Sequence, residues 1–116
     1  MRDLVRAAKA LSDETRLRIL NLLLERECCV CEVMQVLEIS QTRASRNLNI
    51  LLDAGFLKMR KEGLWAYFSI DAIDPDTYIS LFLKAVEREL KNNKVAKLDK
   101  EHLKKAERLG PESCCK

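Results

Sequence analysis

"LEISQTRASRNLNILLDAGFLKMRKEGLWAYFSI", residues 37–70, carries the pattern on which the fold turns. Ser40 stands where a helix N-cap is wanted, and Gln41 to Asp53 can follow it as one helix. Ala44, Leu48, Leu51 and Leu52 recur at helical spacing and make a buried stripe. Thr42, Ser45, Arg46 and Asn49 fall on the opposite face, with Arg43 at its flank. Gly55 ends the helix as a C-cap would. The stretch that follows changes character. It is rich in aromatic residues, and Glu62-Gly63 sits between two extended runs, which reads as a β-hairpin with glycine supplying the positive φ of a tight turn.

Upstream, residues 2–10 read as a short helix with Leu4, Val5, Ala7 and Ala8 as its apolar side. Ser12 is a cap candidate for the next helix, and Asp13 and Glu14 suit its positive dipole end. That helix runs to about residue 25 through Leu17, Ile19, Leu20, Leu23 and Leu24. "ERECCV" breaks the pattern, and a short third helix is expected to start near Cys31 or Glu32, burying Val33, Val36 and Leu37. Downstream, Asp74-Pro75 opens a helix to about Leu90. A lysine-rich helix, or an extension of that one, then runs toward Gly110-Pro111. Helix, helix, short helix, helix, hairpin, helix is the order of a winged helix-turn-helix, with "LEIS" as the turn and Gln41 to Asp53 as the reading helix. The fold class expected is therefore mainly α with a β-hairpin, working as a dimer. Residues 1–92 form the DNA-binding and dimerisation unit. Residues 93–116 form the lysine-rich helix and a cysteine-containing tail, with no sharp boundary between the two.

The chain has 116 residues and a net charge of +3. That charge is too small to announce nucleic acid, but its distribution is informative. Residues 40–61 hold Arg43, Arg46, Lys58, Arg60 and Lys61 against one carboxylate, Asp53. Polar side chains near a helix N-terminus suit base edges in a major groove. Ser40, Gln41, Thr42, Arg43, Ser45, Arg46 and Asn49 are the candidates there. Arg60 and Lys61 on the hairpin could reach phosphate. Two copies would be needed to read a palindrome, and the apolar face of residues 77–90, with residues 2–10 beside it, is the expected seam. No apolar run reaches membrane-spanning length, and the N-terminus lacks the apolar stretch of a secretion signal. A cytoplasmic protein with no membrane partner is expected, and its thiols are expected to be reduced.

Cys28, Cys29 and Cys31 place three thiols within four residues. Free cysteine normally behaves as a scattered buried hydrophobe, so the clustering points to soft-ion or redox chemistry. If the segment is extended, Cys29 and Cys31 face one way. If it is helical, Cys28 and Cys31 do. A helix start here would lower a thiol pKa. A tetrahedral zinc site wants four good ligands, whereas three thiolates suit a pyramidal ion such as trivalent arsenic or antimony. Cys114 and Cys115 in the tail are further candidate ligands. His102, the only histidine, falls in the charged C-terminal helix and reads as solvated. No catalytic constellation and no phosphate-binding glycine loop is apparent, so no catalytic cofactor is expected.

"LSDETRLRILNLL", "CVCEV", "LEISQTRASRNLNILLDAGFL" and "RKEGLWAYFSI" together resemble the ArsR/SmtB family of metal-sensing winged-helix repressors, over about residues 4–90. "CVCE" resembles its arsenic- and antimony-responsive branch. The resemblance implies that Cys29 and Cys31 are core metalloid ligands, and that Ser40, Gln41, Ser45 and Arg46 read DNA. It implies a homodimer that leaves double-stranded operator DNA when trivalent arsenic or antimony binds, freeing a metalloid-resistance operon. It also places the thiols where the helix packed on the reader begins, so that bending this start would tilt the reader. Three departures stand out. Met34 occupies the place of a frequent third cysteine, so Cys28 or the tail must supply a third thiolate. Asn47 replaces a common histidine, which would alter base preference. Residues 77–90 contain no histidine, so the zinc site that other members build there is not expected.

Three other readings compete. A thiol-redox repressor of the same fold would pair one of Cys28, Cys29 or Cys31 with a tail cysteine on oxidation. A small thiol enzyme using the "SCC" pair would need a general base and a pocket, neither of which the sequence offers. A DNA-binding module without any ligand would ignore thiophilic ions altogether.

Overall fold

The computed structural model describes residues 1–71 and 74–107. The elements are α1 (Arg2–Leu11), α2 (Glu14–Glu25), β1 (Cys28–Cys29), α3 (Val30–Leu37), α4 (Gln41–Asp53), β2 (Leu57–Glu62), β3 (Trp65–Ile70), α5 (Tyr78–Leu90) and α6 (Lys94–Lys105). Helices α3 and α4 with the turn between them form the helix-turn-helix, and the antiparallel β2–β3 pair forms the wing. The turn is closed by Glu38, a non-glycine residue in the left-handed region at φ 56°, ψ 47°. Such a conformation costs an L-residue about 1–2 kcal/mol.

Ser40 caps α4 as expected, its Oγ accepting from the Arg43 N–H at 3.2 Å. Two other termini differ from expectation, and of the two alternatives for the lysine-rich stretch the separate helix is the one found. Asp13, not Ser12, caps α2 by accepting from the Arg16 N–H at 3.0 Å, while the Ser12 hydroxyl donates back to the Lys9 carbonyl. Helix α5 starts three residues after Pro75. Asp74 first forms a turn in which its carbonyl accepts from the Thr77 and Ser80 hydroxyls, and Thr77 then caps the helix. Helix α6 is separate from α5, because Asn93 breaks the run and caps it, its Oδ1 accepting from the Ala96 N–H at 3.1 Å. The expected stop at Gly110-Pro111 lies outside the described residues.

The hairpin also differs in detail. Glu62 pairs with Trp65, so the two-residue turn is Gly63-Leu64. Gly63 has φ +61° and Leu64 is not in the positive-φ region, which meets the requirement of a type II′ turn. A third strand was not anticipated. Cys28 and Cys29 pair antiparallel with Phe68 and Tyr67, giving the strand order β1-β3-β2. The wing is therefore a three-stranded sheet with the cysteine segment as one edge.

One core joins the elements. Ile19, Leu20 and Leu22 of α2, Val33 of α3, Leu48 and Leu51 of α4, Phe56 and Leu103 are essentially inaccessible to solvent. Leu103 comes from α6, which lies along α2. A forked pair from Arg18 to the buried Asp99 (2.8 and 2.9 Å) and a bond from Asn21 to the Ala96 carbonyl (3.0 Å) fasten it there. The apolar face of α5 is divided. Ile79, Leu83 and Val86 turn inward, while Tyr78 and Leu81 remain exposed, as do Leu4 and Val5 of α1.

Candidate nucleic-acid interface and thiol site

The outer face of α4 presents Thr42, Arg43, Arg46 and Asn49 to solvent, with Gln41 and Ser45 half-buried beside them. Ser40 is exposed at the N-terminus, where the free N–H groups of a first turn favour a phosphate. No acidic side chain occupies that first turn. Asn47 does not belong to this face. It is buried, its Oδ1 accepting from Arg16 Nη1 at 3.0 Å and its Nδ2 donating to the Arg43 carbonyl at 3.0 Å. Arg16 also donates to the Ala10 and Lys9 carbonyls, so Asn47 helps to lock α4 to α1 and α2. At the position where the resemblance expects a histidine, Asn47 thus takes a packing role.

On the wing, Lys61 is exposed. Arg60 is already engaged. Its Nε and Nη2 donate to both oxygens of Glu27 at 3.0 and 2.8 Å, Nη1 lies 3.0 Å from Glu62, and its guanidinium sits 4.4 Å over the Tyr67 ring. These carboxylates hold Arg60 more firmly protonated than a free arginine. They also neutralise the charge that phosphate contact would use.

The thiol segment adopts the extended alternative. Cys29 (φ −92°, ψ 169°) is the N-cap of α3, and its sulfur lies 2.6 Å from that of Cys31 in the first helical turn. Both are buried, packed with Tyr67, Met34 and Trp65. Cys28, the neighbouring strand residue, points to the other side of the sheet and joins the main core, its Sγ 3.5 Å from the Arg26 carbonyl. The structure thus brings Cys29 and Cys31 together and separates Cys28 from them. Among the described residues no group of three or more His, Cys, Asp or Glu is arranged to hold a metal ion. Cys114 and Cys115 lie outside the described residues. His102 is exposed on α6, as expected.

Under the thiol pair lies a carboxylate that sequence reasoning passed over. Glu32 is 1% exposed. Its Oε1 accepts from the Cys29 N–H at 3.0 Å and its Oε2 meets Arg26 Nη2 at 2.6 Å. Arg26 Nη2 also lies 3.3 Å from the Leu103 carbonyl near the end of α6. The Cys29-x-x-Glu32 spacing of a capping box was the available signal. The lowered thiol pKa expected at a helix start is not found. Burial, followed by the Cys31 sulfur, pushes Cys29 up to about 12, against the downward pull of the Glu32 backbone N–H. Desolvation of the charged form outweighs a short helix's dipole.

Helix-turn-helix, wing and solvent-facing polar reader define a winged helix-turn-helix regulator. Residues 13–59 match the model of the bacterial regulatory protein arsR family. The chain is 46% identical over 70 residues to a cadmium resistance transcriptional regulatory protein CadC homolog of Staphylococcus aureus, covering 60% of this chain and 58% of that one. It is 40% identical over 79 residues to the arsenic resistance transcriptional regulator ArsR1 of Pseudomonas putida, covering 67% and 61%. The alignments thus span about three fifths of these curated relatives. Its fold matches a homodimeric winged helix-turn-helix DNA-binding domain from Mycobacterium bovis with TM-score 0.65 and 28% identity, over 80% of this chain and 82% of that one. The chain belongs to the ArsR family of transcriptional regulators.

Proposed function

We propose that the protein is a homodimeric repressor that binds operator DNA and releases it when trivalent arsenic or antimony joins Cys29 to Cys31. The observation that carries this reading is the thiol pair itself: two sulfurs in contact, buried, at the start of the helix packed on the reader. Soft thiolates select soft ions. Names of relatives support a thiophilic effector, arsenic for one and cadmium for another. Ser40, Gln41, Thr42, Arg43, Ser45, Arg46 and Asn49 read or hold the duplex, and Lys61 extends the contact from the wing. Arg60 serves there only if Glu27 and Glu62 release it. The exposed apolar residues of α1 and α5 form the dimer seam, a reading supported by the homodimeric neighbour. The third thiolate comes from Cys28, which would have to leave the core, or from Cys114 or Cys115. Among the described residues no helix is long and apolar enough to cross a membrane, which accords with action in the cytoplasm.

The test is fluorescence anisotropy of a labelled duplex taken from the region upstream of this gene, titrated with arsenite under reducing conditions. Wild type should leave the DNA, while Cys29→Ser and Cys31→Ser should stay bound. Tight binding that ignores arsenite would sink the mechanism. The contact between Cys29 and Cys31 favours one further reading, a reversible disulfide within the pair, in which an oxidant replaces arsenite as the trigger.

A further inference from the structure

We infer that Tyr67, Glu27 and Arg60 are positioning residues that carry the state of the Cys29–Cys31 pair into the wing. The inference rests on the metalloid-responsive reading above and adds a route to it. The thiol segment is joined to the wing in two ways. Its backbone is an edge strand of the wing sheet, with Cys29 opposite Tyr67. Its side chain Glu27, one residue before β1, grips Arg60 of β2 with both carboxylate oxygens. The two attachments meet at one ring. Tyr67 packs on Cys29 and Cys31, stacks with Trp65 (centroids 6.0 Å apart, planes 6° apart) and lies under the Arg60 guanidinium at 4.4 Å.

Geometry sets the direction of the effect. Metal–thiolate bonds are about 2.3 Å long. Cys29 and Cys31 already face each other, so the ion itself must be housed beside them, where Tyr67, Met34 and Trp65 now pack. Cys31 is built into the first turn of α3, whose inner face is locked by Val33 and Val36 in the core. Cys29 sits in a two-residue strand, tied by its N–H to Glu32, with its side chain against Tyr67, Met34 and Trp65. The strand and the ring take up the displacement. Because packed interiors shift between discrete arrangements, a small movement here re-seats the Tyr67–Trp65 stack and the Arg60–Glu27 fork together. The wing then moves with the thiols, in addition to any tilt of α4.

The test compares DNA affinity with and without saturating arsenite in wild type, Glu27→Gln and Tyr67→Leu, with arsenite affinity measured separately by calorimetry. Glu27→Gln cuts the fork on the surface and leaves the core intact, so it remains informative if Tyr67→Leu folds poorly. The expected result is that both variants bind arsenite, but the ratio of the two DNA affinities falls about tenfold toward unity. A merely structural role would lower stability, or both DNA affinities by the same factor, and leave the ratio alone. Trp65 is the only tryptophan, so its emission should change when arsenite binds wild type and stay constant in Cys29→Ser. An unchanged ratio in Glu27→Gln, with a silent Trp65, would overturn the wing route while the metalloid reading stands. Failure of arsenite to release wild type at all would overturn both.

Discussion

Replacing Glu32 tests how the thiol pair is held. Its carboxylate is almost fully buried, while the Arg26 side chain is 38% exposed. Removing one partner of a buried ion pair costs about 3–5 kcal/mol when the other charge is stranded. Arg26 can turn toward water, which brings that figure down to roughly 2 kcal/mol. Glu32→Ala also leaves the Cys29 N–H without its acceptor, a lost cap interaction of about 1 kcal/mol. The expected destabilisation is therefore about 3 kcal/mol, or a fall in Tm of about 10 °C or more for a domain of this size. Glu32→Gln keeps an acceptor for Cys29 and loses only the charge, so it should cost about 1–2 kcal/mol. The assay is urea unfolding at one fixed protein concentration, because a dimer's stability depends on it. The Arg26→Ala variant and the double variant complete a cycle, with a coupling of about 1–2 kcal/mol expected. A Glu32→Ala protein within about 0.5 kcal/mol of wild type, or strict additivity in the cycle, would refute the claim that this carboxylate holds the start of α3.

Other consequences can be checked alongside. Because Cys29 is raised from the ordinary thiol value of 9.0 to about 12 on folding, its contribution to stability is whole below pH 9.0 and is lost as pH rises toward 12. Urea midpoints should therefore fall more steeply over that interval for wild type than for Cys29→Ser. Asn47→Ala removes one acceptor of Arg16 while the Lys9 and Ala10 carbonyls remain, so it should cost about 1 kcal/mol in urea unfolding yet leave the rank order of operator sequences unchanged; a reordered ranking would give Asn47 a part in base preference. Glu38→Asn places a residue that tolerates the left-handed region at the helix-turn-helix turn and should raise stability by about 0.5–1 kcal/mol in thermal melts. Lys61→Ala should weaken binding to all duplexes alike and reduce the salt slope by about 1. Arg46→Ala should instead relax the preference for particular bases.

Much of the fold was legible in residues 37–70 because the signals there are local. A Ser40 cap, a 3.6-residue apolar stripe and a glycine at the hairpin each act over a few neighbours. The α4 limits came out as read. Termini with two competing caps, Ser12 against Asp13 and Asp74 against Thr77, were misplaced because each local bond is worth about 1 kcal/mol and packing chooses between them. The solvent-facing side of α4 was equally visible, but the burial of Asn47 was not. Its inward turn depends on Arg16, 31 positions away in the chain.

By itself, the sequence determined that three thiols precede a reading helix and that a hairpin follows it. It left open which two thiols face each other, because that depends on whether the segment is strand or helix. Tertiary structure decided the matter through β3. Pairing with Tyr67 and Phe68 makes Cys28–Cys29 an edge strand, and the alternation of a strand sends Cys28 into the core and Cys29 toward Cys31. The same pairing buries the thiols, raising the Cys29 pKa where helix position alone suggested lowering it. It also joins them to the wing. Non-local hydrogen bonds and burial have no periodic signature in the chain, so only the folded molecule could reveal them.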